Sequence, residues 1–223
     1  VFVVPGGQTL AFYDGIHALK GRLRHVLMRD ERSATYAADG YARVTGRLGV
    51  CDATVGPGAT KLPSGLGEAL NSSVPILAIV SDIQQGWTAT RYRGAASQAI
   101  DQMAMLAPLC KWIATARSVE TLPDLVRTAL AQMTSGRPGP AVLNVPEDVF
   151  LAEVGDGTID LRGESAASHF PRERPRPHPD AVGLAAEILV KAERPFLLAG
   201  GGALLSEAGS DVQTLAETLG MPV

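Results

Sequence analysis

The chain has 223 residues, 46% of them hydrophobic and 19% charged, with a formal net charge of -3. This is the makeup of a folded globular protein, long enough for one domain and a substantial part of a second, and without the basic footprint of a nucleic-acid binder. No apolar run reaches membrane-spanning length, and Cys51 and Cys110 form neither a metal spacing nor a disulfide framework, so a soluble, reduced, cytoplasmic protein is expected.

Strand-like apolar runs alternate with helical segments along the chain. Val1 to Val4 reads as a strand, followed by the Pro5-Gly6-Gly7 turn and a helix from Gln8 to Ala18. Arg24 to Met28 is a second short strand. It leads into a helix beginning after Glu31, whose Ala34, Ala37, Ala38 and Ala42 offer a small face for close packing. Leu48 to Thr54 is a third strand, then Gly56-Pro57-Gly58 and a helix to about Asn71. Pro75 to Val80 is apolar almost throughout, the mark of a strand buried on both faces. Ser81 to Gly94 reads as a loop, Ser97 to Leu106 as a short helix, Cys110 to Ala114 as a strand, Ser118 to Met133 as a helix and Ala141 to Val145 as a strand. Such alternation predicts an α/β fold, an open parallel sheet with helices on both faces.

After Phe150 the composition changes. Residues 151–179 read as a linker ending in Pro171, Pro175, Pro177 and Pro179. A second α/β domain is expected to begin at Asp180, with a helix to Lys191, a buried strand from Pro195 to Ala199, a glycine turn at 200–202 and a helix from Ser206 to Leu219. The expected organisation is therefore a first domain over 1–150, a linker over 151–179 and the start of a second, truncated Rossmann-like domain over 180–223. Both ends read as cuts in a longer polypeptide.

Three junctions carry the chemistry. Glu31 stands between a strand and a helix, where a carboxylate can serve as an ordinary helix cap. Pro5-Gly6-Gly7 and Thr54-Val55-Gly56-Pro57-Gly58-Ala59-Thr60 follow two other strands. In an open parallel sheet all three would meet along one edge, where such sheets bind ligands.

These motifs, with Ala38-Asp39-Gly40-Tyr41-Ala42-Arg43 and Gly136-Arg137-Pro138-Gly139-Pro140, resemble the pyrimidine-binding domain of thiamine-diphosphate enzymes. The pattern is similar to the large subunit of acetolactate synthases over residues 1 to about 150, and residues 180–223 resemble the start of the central domain. The resemblance implies decarboxylation or carboligation of a small 2-oxo acid, with decarboxylases, lyases and C–C hydrolases as alternatives within the family. It implies that Glu31 stabilises the reactive tautomer of the cofactor's aminopyrimidine ring through its N1′ atom, help of the kind typically worth about 10²–10⁴ in rate. It also implies that Gly6 and Gly7, with Pro5, let the backbone approach the ring's amino group, that Thr54 and Pro57 line the ring, and that Gln98 orients substrate or water. Thiamine diphosphate is the implied cofactor, with Mg²⁺ held by a C-terminal domain outside these residues and FAD bound in the central domain of some members. A homodimer or homotetramer with the site between subunits is implied, so the 223-residue piece alone is expected to be inactive.

Two positions depart from the acetolactate synthase pattern: Ser97 stands where phenylalanine is usual, and Lys61 where asparagine is usual. Lys111-Trp112 conforms to it. Gly155-Asp156-Gly157 imitates the start of the family's diphosphate motif, but no asparagine follows Asn144, so a linker turn is expected. His17, His25, His169 and His178 lack metal-ligand spacing, and no metal ligand is assigned. A non-catalytic assembly or nucleotide-binding module is weighed against the retained Glu31, Gly7 and Gln98. A Rossmann dehydrogenase is disfavoured because neither Pro5-Gly6-Gly7-Gln8 nor Gly200-Gly201-Gly202 completes the dinucleotide fingerprint.

Overall fold

Six apolar runs become strands of one sheet: β1 (Phe2–Val3), β2 (Val26–Leu27), β3 (Gly49–Ala53), β4 (Ile76–Asp82), β5 (Trp112–Thr115) and β6 (Ala141–Pro146). The structure is a computed structural model that describes residues 1–94, 96–155 and 170–223. Strand order is β2-β1-β3-β4-β6-β5, with every pairing parallel. Gly49 to Ala53 runs in register with Ile76 to Val80, and Leu77 to Asp82 with Ala141 to Pro146. The chain steps from β1 outward to β2, then returns to the other side of β1 for β3. This reversal makes the C-terminal ends of β1 and β3 a topological switch point.

The pleat divides the central strands between two cores. Cys51, Ala53, Ile76, Ala78 and Val80 face α2 (Glu31–Thr45) and α3 (Pro63–Asn71), meeting Ala34, Ala38, Ala42 and Leu66. Leu77, Leu143 and Val145 cluster with Ala129 and Met133 of α5 (Leu122–Thr134). The small face of α2 lets its backbone lie against β3: a Cβ added to Gly49 would come within 2.1 Å of the Ala38 carbonyl oxygen. Arg43 holds Asp39 one helical turn away at 2.7 Å and Glu68 of α3 at 3.0 Å. Arg137 donates to Ser73 Oγ and to the carbonyls of Leu70 and Asn71 at the end of α3. Two of the sequence motifs are thus fold-holding. Lys111 likewise donates to the Ser135 carbonyl.

Several boundaries differ from expectation. The segment 81–94 begins as the end of β4 and continues as a 3₁₀ helix over Gln85–Arg93, preceded by Ile83 and Gln84. The helix expected from Ser97 is confined to α4 (Gln102–Leu106), because Gln98 adopts left-handed backbone (φ 63°) and Asp101 caps the helix by accepting from Ala104 N.

Contacts divide the chain into two units, Val1–Arg172 and Glu173–Val223. Asp156, Gly157, His169 and the middle of the expected linker lie outside the described residues. The second unit holds α7 (Pro179–Lys191), α8 (Gly201–Leu205) and α9 (Gly209–Leu219), α6 being the short Glu147–Phe150 helix that follows β6. The buried strand expected over Pro195 to Ala199 is absent: these residues take no strand conformation, and Phe196 and Leu198 are exposed. A strand needs a ladder partner, and among the described residues of this unit the only backbone bond to the segment is Leu197 N to the Pro222 carbonyl.

Candidate active site

The turns after β1, β2 and β3 lie side by side at the C-terminal ends of three adjacent strands. Thr9 fixes the first, its hydroxyl bonded to both the amide and the carbonyl of Gly6. Gly6 abuts the third turn so closely that an added Cβ would lie 2.3 Å from Thr54 Cβ, so only glycine fits. At Gly7 a Cβ would meet nothing within 4 Å. Protein packing therefore accounts for Gly6 but leaves an open space over Gly7. Thr54 Oγ1 donates to Gln8 Oε1 at 3.0 Å, and Pro5, Gly7 and Pro57 are exposed.

Glu31 begins α2 yet does not cap it. The cap is Asp30, which accepts from Arg32 N at 2.9 Å. This leaves Glu31, a residue 5% exposed, with an Oε2 atom that is buried and has no hydrogen-bond partner among the described residues. Lys61, from the 3₁₀ turn after Gly58, brings Nζ to 3.1 Å from that oxygen and 3.2 Å from Asp30 Oδ2. The approach to Glu31 is close enough for an ion pair but lacks hydrogen-bond alignment. Contact with Glu31, then with Asp30, raises the Lys61 pKa, and Lys61 in turn lowers that of Asp30. Lys61 thereby ties Glu31 to the turn that carries Thr54 and Pro57.

Two polar groups that the sequence reading did not single out lie beneath these turns. Asp52 Oδ1 accepts from Val4 N at 2.9 Å and Oδ2 from the Tyr13 hydroxyl at 2.5 Å. Burial pushes the Asp52 pKa up to about 6, against the opposing bonds from Tyr13 and Val4. Burial, and then Asp52 itself, raises that of Tyr13. An aspartate inside the apolar run Gly49-Val50-Cys51-Asp52-Ala53 was the available signal. Gln102 is the second group: Nε2 donates to the Ser81 carbonyl and Asn144 Oδ1, both at 2.7 Å, while Oε1 accepts from Gly56 N at 3.1 Å. Asn144 donates to Asp82, and Arg91 makes two bonds to the same carboxylate. Polar residues ending the apolar runs of β4 and β6 were its signal.

Gln98 is exposed, and its carbonyl crosses Gly56 so closely that an added Cβ there would lie 2.0 Å away. It borders an open cavity of about 590 Å³ together with Pro57, Thr60 and Arg91. A smaller cavity of about 220 Å³ lies among Gln8, Gln84, Trp87, Ser97 and Glu147, and Ala96 borders both. A basic cleft of about 560 Å³ between α1 (Leu10–Ala18) and β2 lies before a strand rather than after one. It is thus at the edge where open sheets do not bind their ligands. Among the described residues no three His, Cys, Asp or Glu side chains are grouped to hold a metal ion.

Residues 1–105 match the family described as "Thiamine pyrophosphate enzyme, N-terminal TPP binding domain", and residues 182–223 match its central domain. The chain belongs to the thiamine pyrophosphate enzyme family. Its whole length is 36% identical to an acetolactate synthase of Arthrospira platensis and 37% to a probable acetolactate synthase large subunit of Methanocaldococcus jannaschii, covering 38% and 36% of those proteins. It is 40% identical to a probable 2-ketoarginine decarboxylase of Pseudomonas aeruginosa, covering 38% of it. The chain thus spans little more than a third of the length of the curated relatives it matches. For a thiamine pyrophosphate enzyme the geometry fits the cofactor's ring. The buried Oε2 of Glu31 lacks a hydrogen-bond partner among the described residues, and Gly7 leaves room where a side chain would intrude.

Proposed function

We propose that the whole protein carries out thiamine-diphosphate-dependent decarboxylation and carboligation of 2-oxo acids, in the manner of an acetolactate synthase. The observation that carries this reading is the buried Glu31 carboxyl at the ends of β2, β1 and β3, free of capping duty, whose Oε2 meets the Lys61 ammonium but has no hydrogen-bond partner among the described residues. When bound, thiamine diphosphate supplies a nucleophilic carbon for the substrate carbonyl and an electron sink for the departing CO₂. Glu31 would hydrogen-bond the ring's N1′ atom, in a site where exclusion of water strengthens the bond. Gly6 and Gly7, with Pro5, would admit the ring's amino group to the backbone, and Thr54 and Pro57 would hold the ring from the side. Gln98, on its left-handed turn, presents an amide to the substrate.

The same reading assigns Mg²⁺ and the diphosphate to a further domain, the site to an interface between identical subunits, and the protein to the cytoplasm. FAD belongs, if bound, to the central domain. No helix among the described residues is long and apolar enough to cross a membrane.

A second reading, decarboxylation that ends in protonation, is favoured by Ser97, which stands where acetolactate synthases carry phenylalanine. A relative named as a decarboxylase supports it as well.

The test is Glu31→Gln in the full-length protein, with CO₂ release from 2-oxo acids followed by a coupled assay. A fall in kcat of about 10²–10⁴ is expected; an unchanged rate overturns the proposal. Product analysis then separates the two readings, a ligated hydroxy-oxo acid marking the first and an aldehyde the second.

A further inference from the structure

The cavity of about 220 Å³ beside the candidate site has a chemistry of its own. Water occupies roughly 30 Å³ per molecule in the liquid, so the space suits a chain of several heavy atoms rather than a methyl group. Its lining is mostly apolar, with Ile83, Trp87 and Ala96, and a few polar groups are set into it. Trp87 is 47% exposed and offers its indole as one wall. Glu147, half-buried at the end of β6, adds a carboxylate. Its Oε2 accepts from Gln84 Nε2 at 3.1 Å. Gln8 and Ser97 are polar as well. Arg91, on the adjoining cavity, makes two bonds to Asp82, at 3.0 and 3.1 Å.

The position of this cavity joins it to the candidate site. Gln8 follows Gly7 directly and receives the Thr54 hydroxyl. Ser97 precedes Gln98, and Ala96 is shared with the larger cavity that Pro57 and Gln98 border. A substrate whose reacting carbon lay near Gln98 would extend its tail past Ser97 toward Trp87 and Glu147. A phenylalanine at position 97 would stand in that path.

We propose that this cavity is a tail-recognition subsite and that the substrate is a 2-oxo acid whose side chain ends in a cation, an ammonium or guanidinium group. A cation gains from the aromatic face and from the carboxylate together. A neutral tail would gain nothing from the Glu147 carboxylate, and an anionic one would face it directly. The inference rests on the 2-oxo acid chemistry proposed above and adds the class of tail.

The test uses full-length enzyme loaded with thiamine diphosphate and Mg²⁺, and four 2-oxo acids of matched length ending in guanidinium, ammonium, methyl or carboxylate. The cation-ended acids are expected to exceed the methyl-ended acid in kcat/KM by about tenfold or more and the carboxylate-ended acid by a wider margin. Glu147→Gln and Trp87→Leu should each shrink the cation-over-methyl ratio. As a readout without turnover, arginine, norleucine and glutamate are titrated calorimetrically into the same loaded protein, arginine binding tightest. A methyl- or carboxylate-ended acid handled as well as the cations, or equal binding of the three amino acids, overturns the tail assignment while leaving 2-oxo acid chemistry standing. A cation preference untouched by either substitution overturns the location. Failure to turn over any of the four acids while a short 2-oxo acid still releases CO₂ overturns this inference alone; failure with the short acid as well overturns the function it rests on.

Discussion

At the scale of single residues, the feature that sets this chain apart is the triangle of Asp30, Glu31 and Lys61. A helix-start carboxylate is usually explained by capping, but here Asp30 takes the cap and Glu31 turns inward. The sequence showed two acids side by side and could not say which one capped. Backbone geometry decides that, and one residue's rotation about the helix changes the answer. Lys61 was legible as a departure, but the sequence did not say where its side chain would lie. Its ammonium lies 3.1 Å from Glu31 Oε2 and remains partly solvent-exposed. An ammonium there competes with any other group that approaches that oxygen. Lys61→Asn in the full-length protein is therefore expected to lower the Kd for thiamine diphosphate by about two- to fivefold, the scale of a partly exposed ion pair. It should also flatten the dependence of that Kd on salt. Titration of the cofactor by tryptophan fluorescence at low and high ionic strength checks this, and a higher Kd in the variant would contradict it.

At the scale of elements, periodicity and turn chemistry located the strands and helices of the first unit, because long apolar runs and glycine turns report on local geometry. What escaped were features set by distant parts of the chain. Gln98 breaks the helix expected from Ser97 because its carbonyl must cross Gly56, a contact between residues far apart in sequence. The expected strand over Pro195 to Ala199 fails for want of a neighbour, although its apolar run is strong. Gln102 lay unremarked, yet it joins the turn after β3 to the ends of β4 and β6 by three buried hydrogen bonds. Gln102→Leu would strip partners from Gly56 N, the Ser81 carbonyl and Asn144 Oδ1 together. At about 1–3 kcal/mol for each buried group left unsatisfied, a loss of about 3 kcal/mol or more is expected. Urea denaturation of the full-length protein measures it, and a change below about 1 kcal/mol would mean that the network relaxes freely.

For the whole molecule, stability carries a pH signature through Asp52. Its pKa is raised from 3.8 to about 6, chiefly by burial. Between those values the folded chain keeps a proton that the unfolded chain has released, so stability should fall as pH rises from about 4 to 6 and then level off. The contribution is at most about 3 kcal/mol. Asp52→Asn is expected to remove this part of the slope, as read from melting temperatures at pH 4.5 and 7; an identical slope in the variant would assign it elsewhere. The sheet itself is lopsided. The turns bearing Glu31 and the glycines hang from strands of two residues each, β2 with both side chains partly exposed at the outer edge, whereas β4 and β6 run for seven and six. Short marginal strands fray before long central ones. On warming, the rim that carries Glu31 and the glycine turn would slacken first, while the middle of the sheet still stood.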